Sequence, residues 1–308
     1  MGEYVGRRLL HLIWIMIAVS FLTFLLMYLA PGDAAMKKLN AQGVAVSEEV
    51  LQRTRESMGL DRPFLVQYGD WALKALRFDL GVSFKDGFPV ADKLARGLGR
   101  TALLTLCSLT LSLLIALPLS LLTALRKDGI ADHVVRLFTF VGNSLPNFLI
   151  SVLLMYWICV KARLLPVVND GGPRDLILPC LALTIPTCSR FIRQFRAELL
   201  EQLSRPYVTG TELRGVRRRY ILRSVLHNAS ISMLTVVGLS VGTLLGGSVV
   251  VETIFRWPGL GKLAMDAISN RDYPVIQGFV LLTSAIYVLV NLFTDVSYRW
   301  IDPRLRER

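Results

Sequence analysis

The chain has 308 residues, of which 53% are hydrophobic, and it carries 35 lysines and arginines against 23 aspartates and glutamates. A soluble domain of this length hides that much apolar surface only when it is spread along amphipathic helices or strands. Here the apolar residues come in long blocks, so the composition excludes an ordinary soluble domain and predicts an integral membrane protein.

A bilayer core about 30 Å thick is spanned by about 20 apolar residues of helix. Six blocks reach that length, at 9–30, 101–125, 137–161, 176–199, 229–251 and 275–297. The fourth is the weakest, because Pro179 and Pro186 interrupt it, but membrane helices tolerate proline when neighbours satisfy the freed carbonyls. The first has an apolar run too long for a signal peptide and no small-x-small cleavage site directly after it. We predict an all-α protein with six transmembrane helices.

The positive charges predict the orientation. Arginines lie before the first block, after the second and fourth, and in the tail 299–308, and short cytoplasmic loops are enriched in such residues. Both termini are therefore expected in the cytoplasm and residues 31–100, the outer segment, outside it. The excess of basic over acidic residues mainly reflects the orientation of the chain in the membrane. A nucleic-acid partner is not expected, because no zinc-ligand spacing, aromatic RNA-binding signature or basic-leucine pattern accompanies the arginines.

The outer segment is polar enough to fold as a small helical cap. Ser47 followed by Glu48 and Glu49 is typical of a helix start, and Gly59 is placed to end that helix. A second helix is predicted within "PFLVQYGDWALKALRFDLG". This insertion between the first two spans is expected to pack on the membrane part and help receive a substrate-delivering protein.

No catalytic or metal site is visible in the sequence. The four cysteines, Cys107, Cys159, Cys180 and Cys188, lie in or beside the spans and are read as core residues. No HExxH motif, P-loop or Gly-x-Ser-x-Gly elbow occurs, so energy for uphill movement would come from another chain. An intramembrane enzyme and a self-contained channel or ion-coupled transporter remain alternatives, disfavoured by the lack of a paired nucleophile and base and of acids within the spans.

The basic stretch "TGTELRGVRRRYILRSVLHN", residues 209–228, lies between two spans. Ser204 is a candidate N-cap, Pro206 suits a first helical turn, and Gly215 can end the helix in the left-handed conformation. A second helix is predicted from about Arg217 into the fifth span. The short helix could lie at the interface with its arginines on lipid phosphates, or it could dock into a groove on a cytoplasmic partner.

The outer loop, residues 252–274, contains "RWPGLGK". Gly259 and Gly261 flank Leu260, which permits a sharp bend, and Pro258 fixes one turn position. Trp257 and Phe255 suit an interfacial belt or a plug against neighbouring spans. The loop is interpreted either as a turn at the lipid interface or as a re-entrant or extracellular gate.

The stretch "YVTGTELRGVRRRYILRSVLHNAS" resembles the EAA-type coupling loop of ATP-binding-cassette importer permeases, and it is most similar to the peptide/nickel subfamily. The residues in the places typical of that subfamily are Tyr207, Val208, Gly215, Arg223 and Asn228. The chain departs from the pattern where alanines or a histidine are common, at Gly210, Thr211, Leu213 and Ser224. Similar stretches run along almost the whole chain, including "MYLAPGD", "GNSLPNFLISVLL", "ETIFRWPGLGK", "NRDYP" and "DPRLR".

The resemblance implies a type I importer permease fold in a bacterial inner membrane, with the permease core at 101–298. It implies an ATPase-coupling loop at 200–228 that uses Tyr207, Val208, Glu212, Leu213, Gly215, Arg223 and Asn228. Within that loop Leu213 and Tyr207 would supply apolar contacts to the ATPase, and Glu212 would pair with a basic residue. It implies a gate that uses Phe255, Trp257, Pro258, Gly259, Leu260 and Gly261.

The same resemblance implies the partners: a homologous second permease in a heterodimer, two ATPase subunits that bind ATP and Mg, an extracytoplasmic substrate-binding protein, and membrane lipid. This chain itself would bind no cofactor. "VQYGDWALKAL" followed by Phe78 and Asp79 is more similar to nickel and metallophore permeases than to peptide permeases. Nickel or a metal chelate is thus the expected substrate, with di- or oligopeptides as the alternative, and no substrate-binding residue is predicted.

Overall fold

The structure is a computed structural model that describes residues 2–41, 47–167 and 172–301. Within these ranges the chain is helical, and the β pairing there is a single antiparallel bridge between Val82 and Pro89. Most of the predicted tail 299–308 lies outside the described residues. The chain divides into two compact units, residues 1–101 with 258–289 and residues 102–257 with 290–308. The all-α membrane fold expected from the sequence is confirmed.

The first unit contains four helices before residue 76 and one in the outer loop. These are α1 (Gly2–Leu29), α2 (Ala34–Ala41), α3 (Glu48–Ser57), α4 (Phe64–Ala75) and α11 (Leu260–Asn270). Two longer helices, α5 (Val90–Leu125) and α12 (Tyr273–Ile301), contribute residues to both units. The sequence did not predict α2 or α11.

The helix starts in the outer segment follow from local chemistry. The Ser47 hydroxyl accepts a hydrogen bond from the Val50 N–H at 3.3 Å and caps α3 as predicted, and Gly59 follows this helix with a φ of +68°. Helix α4 packs on α1 through edge-to-face aromatic pairs, including Phe24 with Tyr68 at 5.6 Å between ring centroids. Aromatic burial therefore fastens the outer segment to the first span.

The second unit contains the helices on which the basic stretch is built. These are α6 (Ile130–Ser144), α7 (Asn147–Leu154), a π-helical turn (Met155–Lys161), a 3₁₀ turn (Pro173–Leu176), α8 (Ile177–Leu203), α9 (Pro206–Leu213) and α10 (Arg218–Ile254). Helix α8 lies at the centre of this unit. In its apolar stretch 61% of residues are buried within the chain, against 28% or less in the other single helices of spanning length.

The third predicted span, 137–161, is not one helix. Helix α6 ends at Ser144, and the following segment, which starts with α7, is bent from it by 104°. The cause is local, because the residue before a proline is driven out of the helical region. Leu145, which precedes Pro146, is extended, with a φ of −83° and a ψ of 130°. Five single helices have spanning length, or up to six spans if this bent pair counts as one.

Other span boundaries differ from the sequence prediction. Helix α5 begins at Val90 rather than at residue 101, and α8 continues to Leu203 rather than 199. The predicted fifth span, 229–251, is the middle of α10, which runs without interruption from Arg218 to Ile254. Helix α10 thus carries the end of the basic stretch and the start of the outer loop on one rigid element.

Candidate functional site

The coupling loop contains the short helix that the sequence predicted. Pro206 occupies its first position, where a missing N–H costs nothing. The expected N-cap is wrong, because Arg205 holds that position in an extended conformation without a side-chain cap. Ser204 instead ends α8, and its hydroxyl donates to the Glu201 carbonyl at 2.8 Å. The two helices follow each other so closely that Ser204 belongs to the first.

Gly215 ends α9 in the left-handed conformation, with a φ of +74°. Its N–H donates to the Glu212 carbonyl at 2.9 Å, and the Val216 N–H donates to the Thr211 carbonyl at 3.2 Å. This pair of bonds is the Schellman arrangement. A Cβ added at Gly215 would meet no atom within 4 Å, so the need for glycine comes from its backbone angle alone.

One face of α9 packs on the chain itself. Val208 is 3% exposed within an apolar cluster that includes Phe195 of α8 and Val225 of α10. Tyr207 is partly buried against the same cluster, and its hydroxyl donates to the Gln202 side chain at 3.4 Å. These two residues therefore hold α9 in place, and only part of Tyr207 is left accessible for the contact that the coupling interpretation gives it.

The other face of α9 is free of the chain. The Leu213 side chain is 85% exposed, and Glu212 beside it is exposed. One exposed leucine is common on protein surfaces, so Leu213 is of interest only together with its neighbours on this helix end. We call Glu212, Leu213 and the exposed Arg214 that follows them the coupling face.

The arginines of the basic stretch are exposed at the start of α10. They are Arg217, Arg218, Arg219 and Arg223, and Asn228 further along α10 is exposed as well. Arg214, also exposed, caps the end of α9. The Arg219 guanidinium lies over the Tyr220 ring at 4.6 Å and donates to its hydroxyl at 2.7 Å. A helix N-terminus carries partial positive charge, which disfavours cations there. This placement therefore favours an anionic surface outside the chain.

A buried ion pair lies next to the coupling loop, and the sequence analysis missed it. Asp132 of α6 is fully buried and accepts from Arg196 of α8 at 2.8 Å through Nε and 2.7 Å through Nη2. The Asp128 N–H donates to the same carboxylate at 3.0 Å, and Arg136 lies 3.7 Å away. The available signal was an acid in the first turn of an otherwise apolar helix, since such a charge needs a partner.

The outer loop places its aromatic residues inside the second unit. Phe255 and Trp257 are 6% and 3% exposed and pack in a cluster with Leu178 and Leu183 of α8. Between them Arg256 adopts a left-handed φ of +52°, and the Trp257 N–H donates to the Glu252 carbonyl at 2.8 Å. They form an internal plug rather than a belt at the lipid interface.

The remaining gate residues start α11. Gly259 is extended with a φ of −97°, and Gly261 lies in the first turn of the helix. The chain does bend at Gly259, but without a left-handed glycine, since the left-handed residues of the loop are Arg256 and Arg271. Leu260 is 2% exposed in the first unit's core with Val90 and Leu94, while Pro258 is exposed.

A glycine of α5 lies in close contact with the start of α11. A Cβ at Gly97 would approach the Leu260 side chain to 3.2 Å and its N atom to 3.3 Å. The same Leu260 N–H donates to the Thr101 hydroxyl at 2.8 Å. The start of α11 is thus held against α5 by a close backbone approach.

A polar network connects the end of the outer loop with the outer segment. Asp272 is 2% exposed and accepts from the Ser83 hydroxyl at 2.5 Å and the Phe84 N–H at 2.9 Å. Lys93 donates to Ser83 at 3.0 Å and to Asp86 at 2.5 Å. Burial raises the pKa of Asp86, but hydrogen bonds from Lys93 and Ser83 outweigh it and leave the pKa below its ordinary 3.8. The Asp86 carboxylate therefore stays ionised at neutral pH.

The described residues contain no group of three or more histidine, cysteine, aspartate or glutamate side chains that could hold a metal ion. The cysteines are free, and Cys159, Cys180 and Cys188 are buried.

Comparison with known proteins gives two family matches. The family described as "Binding-protein-dependent transport system inner membrane component" matches residues 116–307. Its N-terminal companion, described as "Binding-prot-dependent transport system membrane comp, N-term", matches residues 1–105.

Several curated relatives are similar over nearly their whole length. A probable peptide ABC transporter permease, y4tP, of Sinorhizobium fredii is 38% identical over 315 residues, which cover 99% of this chain and 100% of the relative. The metal-staphylopine import system permease CntB of Staphylococcus aureus is 34% identical, covering 100% and 99%. The nickel import system permease NikB of the same species is 36% identical, covering 97% and 90%.

Two solved structures share the fold. An inward-facing form of the MetNI methionine ABC transporter matches with a TM-score of 0.55 and 19% identity, over 68% of this chain and 96% of the other. An amino acid ABC transporter matches with a TM-score of 0.54 and 18% identity, over 70% and 94%. At these identities the likeness shows the architecture alone.

Proposed function

Since the chain belongs to the family of binding-protein-dependent transport system inner membrane components, as a permease of the peptide/nickel subfamily of ATP-binding-cassette importers, we propose that it forms half of a translocation pathway for nickel or a metal chelate. The described residues of one copy supply at most six spans. The other half would come from a homologous second permease in a heterodimer.

The observation that carries the coupling proposal is the coupling face. Helix α9 is anchored by Val208 on one side and presents Leu213, 85% exposed, on the other. Its end is fixed by the Schellman bonds at Gly215. A short rigid helix with a free apolar tip fits a groove on an ATPase subunit. Glu212 then pairs with a basic residue of that groove.

The wider assembly follows from the same role. Two ATPase subunits bind ATP and Mg and hydrolyse the nucleotide, and this chain acts as a transport subunit without its own catalytic site. A substrate-binding protein docks on the outer segment. The termini and the coupling loop are cytoplasmic, and Arg217, Arg218 and Arg219 lie at the lipid phosphates of the inner leaflet, each worth about 1 kcal/mol near an anionic surface.

The substrate assignment has two branches within one subfamily. The relatives named for nickel and for metal-staphylopine import support a metal or chelate, whereas the relative named for peptides supports di- or oligopeptides. Selection would be shared with the binding protein, which agrees with the lack of a metal-ligand cluster among the described residues.

The test is uptake into liposomes that contain the full complex of two permeases, two ATPases and the binding protein. We expect ATP-dependent uptake of nickel or nickel–histidine, and no uptake with a non-hydrolysable ATP analogue. ATP-dependent uptake of dipeptides, without uptake of nickel or nickel–histidine, would favour peptides as the substrate instead of a metal or chelate. Uptake that needs neither ATP nor the binding protein would overturn the importer assignment.

A further inference from the structure

Helix α8 is largely core, but one stripe of its second half is polar and accessible. Arg193, Gln194, Ala197 and Glu201 are exposed, and Arg190 is half-buried one turn earlier. These residues recur at three- and four-residue intervals and therefore share one face of the helix. A span that is otherwise buried in its own chain thus turns a charged face outward.

The depth of this stripe in the membrane is indicated by the positions of Arg190 along α8 and of its partner Thr243 along α10. Arg190 lies about 20 Å along α8 from Ile177, at about 1.5 Å per residue. It donates to the Thr243 hydroxyl of α10 at 3.4 Å, and Thr243 lies about 16 Å along α10 from Ile254. The two estimates agree. If the ends at Ile177 and Ile254 lie at the outer surface, Arg190 is near the middle of a hydrocarbon core about 30 Å thick.

A charged side chain at that depth does not face lipid. Ionisable residues in spans face the interior of a helix bundle or a water-filled cavity, because exposure to hydrocarbon is costly. The exposed side of the stripe is therefore the side that meets water or the second permease. Its neighbour Gln194 supports this, since an exposed amide side chain is also costly to place in lipid.

The positive charge of the stripe is not neutralised within the part of the chain that the structure describes. Arg193 has no hydrogen bond or ion pair there, and Arg190 has only the Thr243 hydroxyl. The arginine one turn further, Arg196, differs, since it is paired with Asp132. Lower on the same face Glu201 is paired with Arg205, whereas the half-buried Glu198 accepts only from the neutral Gln202 amide and keeps its charge further along the helix.

We propose that Arg190 and Arg193 form a cationic wall of the translocation pathway, so that the solute passing this chain carries carboxylates or a net negative charge. The proposal rests on the proposed function and narrows its substrate class. It favours an anionic metal chelate or an acidic peptide over a bare divalent cation, which two uncompensated arginines repel.

The test measures the potential at the stripe without requiring the substrate. Gln194→Cys serves as the reporter, in the full complex, with the four native cysteines replaced by alanine and ATPase activity retained. Its rate of modification is measured with an anionic and a cationic methanethiosulfonate reagent of similar size. Both reagents react with the thiolate form of the cysteine. The ratio of the two rates is therefore independent of how much of the thiol is ionised.

We expect Gln194→Cys to react, with a preference for the anionic reagent that falls about tenfold in the R190Q/R193Q background. The R190K/R193K background, which keeps the charge, should retain the preference. Phe138→Cys is the matched control, because Phe138 is 72% exposed on α6 among apolar residues; a lipid-facing position should react with neither reagent.

Two results would overturn the cationic wall. One is a Gln194→Cys thiol as unreactive as Phe138→Cys. The stripe would then not be accessible to water. The other is a rate ratio unchanged by R190Q/R193Q. ATP-dependent uptake by the unmodified complex in the same liposomes is measured in parallel. Its absence would count against the importer assignment, whereas the rate ratio counts only for or against the wall.

Discussion

At the scale of single residues, the coupling loop depends on one backbone angle. Gly215 is left-handed and has empty space around its α-carbon. A side chain there would clash with its own backbone and with nothing else. Substitutions at this position therefore separate conformational strain from packing.

Gly215→Val should reduce co-purification of the ATPase subunits about tenfold, because a left-handed L residue costs about 1–2 kcal/mol and a β-branched one is disfavoured further. Membrane insertion should be unchanged. Gly215→Asn should lose less, since asparagine tolerates this conformation. Gly210→Ala adds a Cβ in the same helix where no atom lies within 4 Å, and it should behave as the wild type. Full ATPase binding and transport by Gly215→Val would refute the docking assignment.

Leu213 and Val208 lie on opposite faces of α9, and their substitutions should have opposite signatures. Leu213→Ser should weaken ATPase binding and leave the melting temperature unchanged, because the side chain is 85% exposed. Val208→Ala should lower the melting temperature by removing buried methyl groups, at about 1–2 kcal/mol. Both are measured on the detergent-purified chain and by pull-down. If Leu213→Ser lowered the melting temperature as much as Val208→Ala, the coupling face would not be free.

At the scale of elements, the ion pair between Asp132 and Arg196 joins α6 to α8, the helix that leads into the coupling loop. The pairing is bidentate and its acid is fully buried. Buried pairs contribute little net stability relative to apolar residues, but removing one partner leaves a charge without compensation. The pair is therefore a positional link between the two helices.

Asp132→Asn should destabilise the chain by roughly 3 kcal/mol, because it leaves the Arg196 guanidinium poorly satisfied. Combining it with Arg196→Gln should cost less than the sum of the two single changes. The measurement is a double-mutant cycle on unfolding in denaturant, with Arg193→Gln as the control for loss of an unpaired arginine. Strictly additive effects would show that the pair does not act as a unit.

At the scale of the whole molecule, the proposed topology places the outer segment and the coupling loop on opposite sides of the membrane. Lys85 is exposed in the outer segment, and Arg217 is exposed before α10. Lys85 is a suitable position for a cysteine label. The nearby Gly87 is not, because its φ of +75° disfavours a cysteine.

In a cysteine-free background, Lys85→Cys should react with an impermeant maleimide in intact spheroplasts. Arg217→Cys should react only after permeabilisation. Expression and membrane insertion of both variants are checked by immunoblot. The opposite labelling pattern would invert the orientation that the arginines predict.

The sequence by itself determined the all-α membrane class, the approximate places of the long apolar helices, and the left-handed end of the coupling helix at Gly215. These features depend on local physics, namely the transfer of about 20 apolar residues into a bilayer and the allowed angles of proline and glycine. The family resemblance added the expected partners, which no local rule supplies.

Only the tertiary structure decided which side chains meet. It packed Tyr207 against the chain's own core, paired Asp132 with Arg196, and gave the left-handed angles of the outer loop to Arg256 and Arg271 rather than to a glycine. It also showed the 104° bend beside Pro146, where the sequence signal was read as one span. The ion pair depends on contacts between residues far apart in the chain, which form only when distant segments come within a few ångströms. The bend has a local cause at Leu145 and Pro146, and the size of its angle depends on how the broken helix packs. Hydrophobic patterning limits these pairings without selecting among them, because it records how apolar a position is and not which residue will lie beside it.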